Sequence, residues 1–193
     1  MRVIVVRVYF IFLFLLISGI SAQVTASESD RSEEQTYSSD LLLQYIVGAG
    51  DKIEIRVFGE DDLSVTAHLG NSGKINYPFL GQLKLAGLTI KQIEGLIVKG
   101  LKGGYLVRPN VFVSVVEYRP FYIHGEVKKP GGYPYQPGLT VNQAIALAGG
   151  LTERASKDKI FMFKEGDKNS ELKASLNNKV NAGDTITIKQ RFF

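Results

Sequence analysis

Three adjacent acids, Glu60, Asp61 and Asp62, and two histidines, His68 and His124, are the side chains whose types invite a catalytic or metal-binding reading. Glycosidases divide their work between two carboxylates held a set distance apart across a sugar. Three consecutive acids on one loop encode no such separation, and they read as a solvated charged loop. Zinc takes three or four ligands. The two histidines are far apart in sequence, and no His/Asp/Glu spacing of the usual kind accompanies them. Gly100-Leu-Lys-Gly-Gly104 is glycine-rich in the manner of a phosphate loop. It lacks the Gly-Lys-Ser/Thr ending and follows an apolar periodic segment instead of preceding one, so it reads as a helix stop. No serine stands in a Gly-x-Ser-x-Gly elbow. The sequence predicts no catalytic residue, no cofactor and no metal, and hence a protein that is not an enzyme.

A second constellation is one of contact chemistry. Arg119, Tyr122, Tyr133 and Tyr135 gather around a predicted hairpin. Aromatic faces with polar tips suit either sugar rings or subunit interfaces. They are also ordinary residues of an amphipathic sheet, and the sequence leaves the three readings open.

The elements that must position these residues come in two similar sets. Val47-Gly-Ala-Gly-Asp-Lys-Ile-Glu-Ile55 returns as Val180-Asn-Ala-Gly-Asp-Thr-Ile-Thr-Ile188, a Gly-Asp turn feeding an alternating strand. Gly50, Asp51, Gly183 and Asp184 read as turn formers, because Gly permits positive φ and Asp bonds nearby backbone. Gly87-Leu-Thr-Ile-Lys-Gln92 returns as Gly138-Leu-Thr-Val-Asn-Gln143. Thr89 with Gln92, and Thr140 with Gln143, are capping boxes that open helices. Ile90, Ile93, Ile97 and Leu101 give the first helix an apolar face, and Val141, Ala144, Ile145 and Ala148 the second. Gly149-Gly150 stops the second helix.

Alternation predicts strands over residues 52–58, 74–77, 82–85, 111–115, 121–127, 159–164 and 185–189. Lys128-Lys-Pro130-Gly131-Gly132 forms a hairpin tip or tight loop, with Gly125 in the strand before it. Residues 166–178 read as a polar loop or weak hairpin. Arg119-Pro120 marks the predicted boundary between the two sets. Alternating short strands with only two short helices give an α+β fold of two small β-grasp-like units.

At the N-terminus, Arg2 and Arg7 flank an apolar run, Val8 to Ile17, followed by Ser18, Gly19, Ser21 and Ala22. A basic head, a run of about ten apolar residues and a small-residue exit describe a secretory signal peptide over residues 1–22, with an uncleaved anchor as the other reading. Residues 23–40, rich in Ser, Glu, Thr and Gln, read as a flexible linker. Removing residues 1–22 takes away two Arg and no acid, so the net charge falls from +4 to +2. Lys and Arg are scattered and form no basic stripe, which argues against nucleic acid. With no cysteine in the chain there is neither a disulfide nor a lipobox residue.

These residues, in this order, resemble the bacterial polysaccharide export family, whose members carry an export N-terminal domain followed by SLBB (soluble ligand-binding β-grasp) domains. The first is carried by Tyr45-Ile-Val-Gly-Ala-Gly-Asp-Lys-Ile-Glu-Ile55, Gly73-Lys-Ile-Asn-Tyr-Pro-Phe-Leu-Gly81, Gly87-Leu-Thr89 and Arg108-Pro-Asn-Val-Phe-Val-Ser-Val115. The second is carried by Ile123-His-Gly-Glu-Val-Lys-Lys-Pro-Gly-Gly-Tyr133, the stretch Leu139 to Thr152, and Ala155. The resemblance implies an export domain over residues 41–118 and an SLBB domain over 119–193. It further implies a homo-oligomeric ring, secreted to the periplasm and associated with the outer membrane, that carries a polysaccharide. Its partner would be an inner-membrane polysaccharide co-polymerase. Larger members add a C-terminal outer-membrane helix for which only Lys189 to Phe193 remain here, so a separate outer-membrane pore protein is expected. A monomeric periplasmic carbohydrate-binding module is the alternative.

Overall fold

The computed structural model describes residues 44–167 and 169–191. The expected signal peptide and linker, and the last two residues, lie outside them. Both sheets belong to one compact body.

The first sheet grows from the alternation that follows the Gly-Asp turn. In strand β1, Lys52–Val57, the side chains of Ile53, Ile55 and Val57 are buried while those between them reach solvent. Each such burial contributes roughly 1.5–3 kcal/mol. A single turn of 3-10 helix, Asp61–Leu63, follows. The acidic trio expected on a loop is thus partly helical, because Leu63 is drawn into the core. Strand β2, Val65–His68, was not anticipated from sequence, since Val65 and Ala67 are only half-buried and their alternation is weak. Strands β3, Lys74–Tyr77, and β4, Gly81–Lys84, pair antiparallel as a separate hairpin. Helix α1, Ile90–Leu101, buries Ile93, Ile97 and Leu101 and packs on strand β5, Val111–Glu117. The sheet order is β2-β1-β5, antiparallel throughout.

The second sheet has five strands in the order β7-β6-β10-β8-β9. They are β6 (Phe121–Gly125), β7 (Gly131–Tyr133), β8 (Ala155–Phe163), β9 (Leu172–Ala174) and β10 (Thr185–Gln190). Helix α2, Val141–Leu147, crosses between β7 and β8 and buries Val141, Ala144 and Ile145. Strands β6 and β10 run parallel side by side, and the remaining pairs are antiparallel. The first and last strands of this unit therefore meet at its centre, as a β-grasp requires. The first sheet shares the turn and the capped helix but not that parallel pair.

Strand β6 ends at Gly125 and not at Val127. Gly125 has φ +88°, and the Glu126 amide turns to donate to the Ile188 carbonyl. Strand β8 begins earlier than residue 159 because Ala155 pairs with Gln190 beyond a register shift. The stretch over 166–178 contributes the short edge strand β9. The fold is α+β, with a core running from Ile53 and Ile93 in the first unit to Phe121 and Ile186 in the second.

Candidate functional site

The two Gly-Asp turns carry the fold's two buried charged residues among those described. Asp51 is 0% exposed and Asp184 is 1% exposed. A buried carboxylate is costly unless it is hydrogen-bonded and paired, and the two turns meet that demand in the same way. Asp51 Oδ2 accepts the Gly48 amide at 2.8 Å, and Asp184 Oδ2 accepts the Asn181 amide at 2.8 Å, in each case three residues back. Each also holds a cation. Arg119 Nη1 lies 2.7 Å from Asp51 Oδ2, and Lys164 Nζ lies 2.7 Å from Asp184 Oδ2.

Arg119 links the two halves. Its main-chain amide donates to Asp51 Oδ1 at 2.8 Å. Its guanidinium also donates through Nη1 to the Tyr45 hydroxyl at 2.7 Å and through Nε to Glu165 Oε2 at 2.9 Å. The Tyr45 hydroxyl in turn donates to the Asp51 carboxylate at 2.8 Å. Gly48 makes room for this arrangement, since a Cβ there would sit 2.7 Å from Arg119 Cζ. Burial works against the Arg119 charge, but Asp51, with Tyr45 and Glu165, prevails and raises the guanidinium pKa. Burial, reinforced by the Asp51 charge, lifts the Tyr45 phenol far above its ordinary value.

Tyr45, Tyr118 and Tyr135 close this region as an aromatic cluster. Tyr118 meets Tyr45 edge-on at 4.8 Å and Tyr135 edge-on at 5.6 Å, while Tyr45 and Tyr135 stack at 6.2 Å. Burial raises the phenol pKa of Tyr118 and of Tyr135. A cleft of about 390 Å³ opens beside the cluster, lined by Tyr45, Arg119, Tyr135, Lys164, Glu165 and Asn181 among others. Its walls combine aromatic surface with donors and acceptors, a mixture suited to a hydroxyl-rich ligand.

The four contact candidates therefore part company. Arg119 and Tyr135 line the cleft. Tyr133 stacks on Phe121 at 6.0 Å and donates its hydroxyl to the Lys129 carbonyl at 2.6 Å. Tyr122 stands exposed on β6 opposite Gly132. Glu60, Asp61 and Asp62 are all exposed, as are His68 and His124. His124 meets Thr187 Oγ1 at 3.1 Å. Among the described residues, no group of three or more His, Cys, Asp or Glu is placed to hold a metal ion, and no helix is long and apolar enough to cross a membrane. Every buried side-chain nitrogen or oxygen among them has a hydrogen-bond partner.

Sequence reasoning missed Tyr45, Lys164 and Glu165. The duplicated Gly-Asp phrase was the available signal for a paired arrangement. Nothing in the sequence names the cation that each carboxylate draws in, because Arg119 is 68 residues from Asp51 and Lys164 is 20 from Asp184.

Comparison with known proteins gives two adjacent family matches. A family described as polysaccharide biosynthesis/export protein matches residues 42–116, and the SLBB domain matches residues 120–171. The chain is 38% identical over 120 residues to the exopolysaccharide production protein ExoF of Rhizobium meliloti (strain 1021), covering 56% of this chain and 28% of that one. It is 28% identical over 126 residues to the polysialic acid transport protein KpsD of Escherichia coli, covering 64% and 23%. It is 24% identical to the EPS I polysaccharide export outer membrane protein EpsA of Ralstonia nicotianae, covering 89% and 55%. The chain spans about a quarter of the length of the first two relatives and about half of the third.

Proposed function

The chain belongs to the polysaccharide biosynthesis/export family, and from that premise we propose that it is a non-enzymatic subunit of an envelope polysaccharide exporter. In this reading residues 41–118 form the export domain and 119–193 the SLBB domain. Copies associate into a ring in the periplasm, at the outer membrane or within the export complex. An inner-membrane co-polymerase hands on the polysaccharide.

The observation that carries the reading is the order and adjacency of the two family matches, with Arg119 in the gap between them. That side chain bonds Asp51 in the first matched region and Glu165 in the second. A two-domain unit joined in this way can repeat around a closed ring through head-to-tail contacts. The buried carboxylates are engaged in turns and ion pairs, an arrangement that serves scaffolding better than proton transfer.

Deleting the gene tests the role. The expected result is loss of surface or secreted polysaccharide, restored by the intact gene, and a native mass that is a multiple of the protomer. Undiminished export after deletion would overturn the export role. A protomer-sized mass at every concentration, with saturable oligosaccharide binding, would replace the ring with a monomeric carbohydrate-binding module.

A further inference from the structure

The β3–β4 hairpin presents a face and a tip that the cleft does not use. Lys74 and Lys84 stand directly opposite each other across the ladder, and both are exposed. Like charges so placed destabilise a strand pair. Neither takes part in an ion pair among the described residues, and Lys74 Nζ donates only to Gln82 Oε1 at 3.2 Å. The next pair on the same face is Asn76 with Gln82, also exposed. The strip therefore carries two opposed ammonium groups followed by two amides.

Its tip is aromatic and strained. Phe79 has φ +61°, the one positive φ at a non-glycine position among the described residues. The Leu80 amide donates to the Pro78 carbonyl at 2.7 Å, closing a γ-turn around it. Such a backbone is strained for a non-glycine residue, and burial does not offset it, since Phe79 is 65% exposed. Tyr105 fixes it from the side, with ring centroids 4.9 Å apart and its hydroxyl donating to the Phe79 carbonyl at 3.3 Å. From Lys74 to Tyr77 the strand rises roughly 10 Å before the turn that carries Phe79.

We propose that this strip and tip bind an anionic glycan, a chain bearing uronate or comparable acidic groups. Lys74 and Lys84 meet the acidic groups, which relieves their mutual repulsion. Asn76 and Gln82 bond hydroxyls, and the Phe79–Tyr105 pair lies against the C–H face of a sugar ring. The proposal rests on the export reading and deepens it by naming the charge class of the cargo.

The test titrates the full chain with polygalacturonate fragments and with the same fragments methyl-esterified. The acid form is expected to bind, to weaken as salt rises, and to bind about tenfold more tightly than the ester, as two partly screened charge contacts allow. Lys74→Gln with Lys84→Gln should erase that tenfold preference. Phe79→Gly, which adopts the positive φ without strain, should lower affinity for both forms while thermal melting holds or rises. Equal binding of acid and ester, or a double variant that binds as the parent does, would overturn the proposal. So would a double variant that alters only self-association, which would make the strip a contact between copies. In cells, normal export by the double variant alongside loss on deletion overturns the strip and leaves the export role standing. Export unaffected by deletion removes the export role, and acid-form binding by the purified chain then decides the strip alone.

Discussion

Asp51 receives Arg119 twice, taking its main-chain amide on Oδ1 at 2.8 Å and its guanidinium on Oδ2 at 2.7 Å. The carboxylate is inaccessible and the Arg119 side chain is 11% exposed. Arg119 immediately precedes Pro120 and strand β6, so the same two contacts that neutralise Asp51 also fix where the second sheet begins. The Glu165 contact extends that hold to the segment after β8. Asp51 is at once the closing residue of a turn and the point where the two units are joined.

Removing the cation should therefore be costly. Arg119→Leu leaves the Asp51 charge buried with only neutral donors, and breaking such a pair costs about 3–5 kcal/mol. Urea unfolding should show a loss in that range. Adding Asp51→Asn should cost less than the sum of the two single changes, because the charge left stranded by the first is removed by the second. A loss within 0.5 kcal/mol, of the order seen at ordinary surface positions, would mean the contact contributes little.

The second turn is wetter and should be more tolerant. The Lys164 side chain is 37% exposed against 2% for the Asp184 side chain, so solvent screens the pair from one side. Lys164→Met should cost about 1 kcal/mol, clearly less than Arg119→Leu under the same conditions. A reversed order would show that the second unit, and not the junction, governs stability.

The phenols set an alkaline limit. Tyr45, Tyr118, Tyr135 and Tyr77 have pKa values raised above the ordinary 10.0, with burial the largest cause in each. A raised folded-state pKa means the folded chain keeps protons that the unfolded chain releases, so stability is whole below pH 10 and falls as pH rises beyond it. The urea midpoint should hold steady through the neutral range and drop above about pH 10, with the phenolate absorbance of these four tyrosines appearing together with unfolding. Tyr118→Phe keeps the ring packing and should shallow that decline. Full phenolate absorbance, these four included, reached while the fold persists would count against it.

Much of the fold was legible because local chemistry and tertiary need coincide. Ile53, Ile55 and Val57 alternate in sequence and are buried in the structure. Thr89-x-x-Gln92 and Thr140-x-x-Gln143 both form complete capping boxes. What escaped was decided by partners distant in sequence. Strand β2 exists because β1 offers it a ladder, not because Val65 and Ala67 make a strong pattern. Ala155 joins β8 through Gln190. The cleft is the clearest instance, since Tyr45, Arg119 and Glu165 come from three separated stretches and only Arg119 stood out by its neighbours. Phe79 lies between the predicted strands 74–77 and 82–85, and its positive φ depends on how Leu80 and Tyr105 close around it.

The caps themselves should be measurable, and most so at the shorter helix. Helix α2 has seven residues against the twelve of α1, and a helix so short is marginal without outside support. Thr140 Oγ1 accepts the Gln143 amide at 3.4 Å, and Gln143 Oε1 accepts the Thr140 amide at 2.9 Å. Thr140→Ala removes the first bond and loosens the second, a loss of about 1 kcal/mol, whereas Thr140→Ser keeps the hydroxyl and should cost only a fraction of that. Hydrogen exchange locates the effect: amides in the first turn of α2 should exchange faster in the alanine variant while those of β1 and β5 are unchanged. Uniform acceleration across both sheets would instead mean that α2 and the second sheet open only with the whole body. In that case the cap acts on global stability and not on the helix alone.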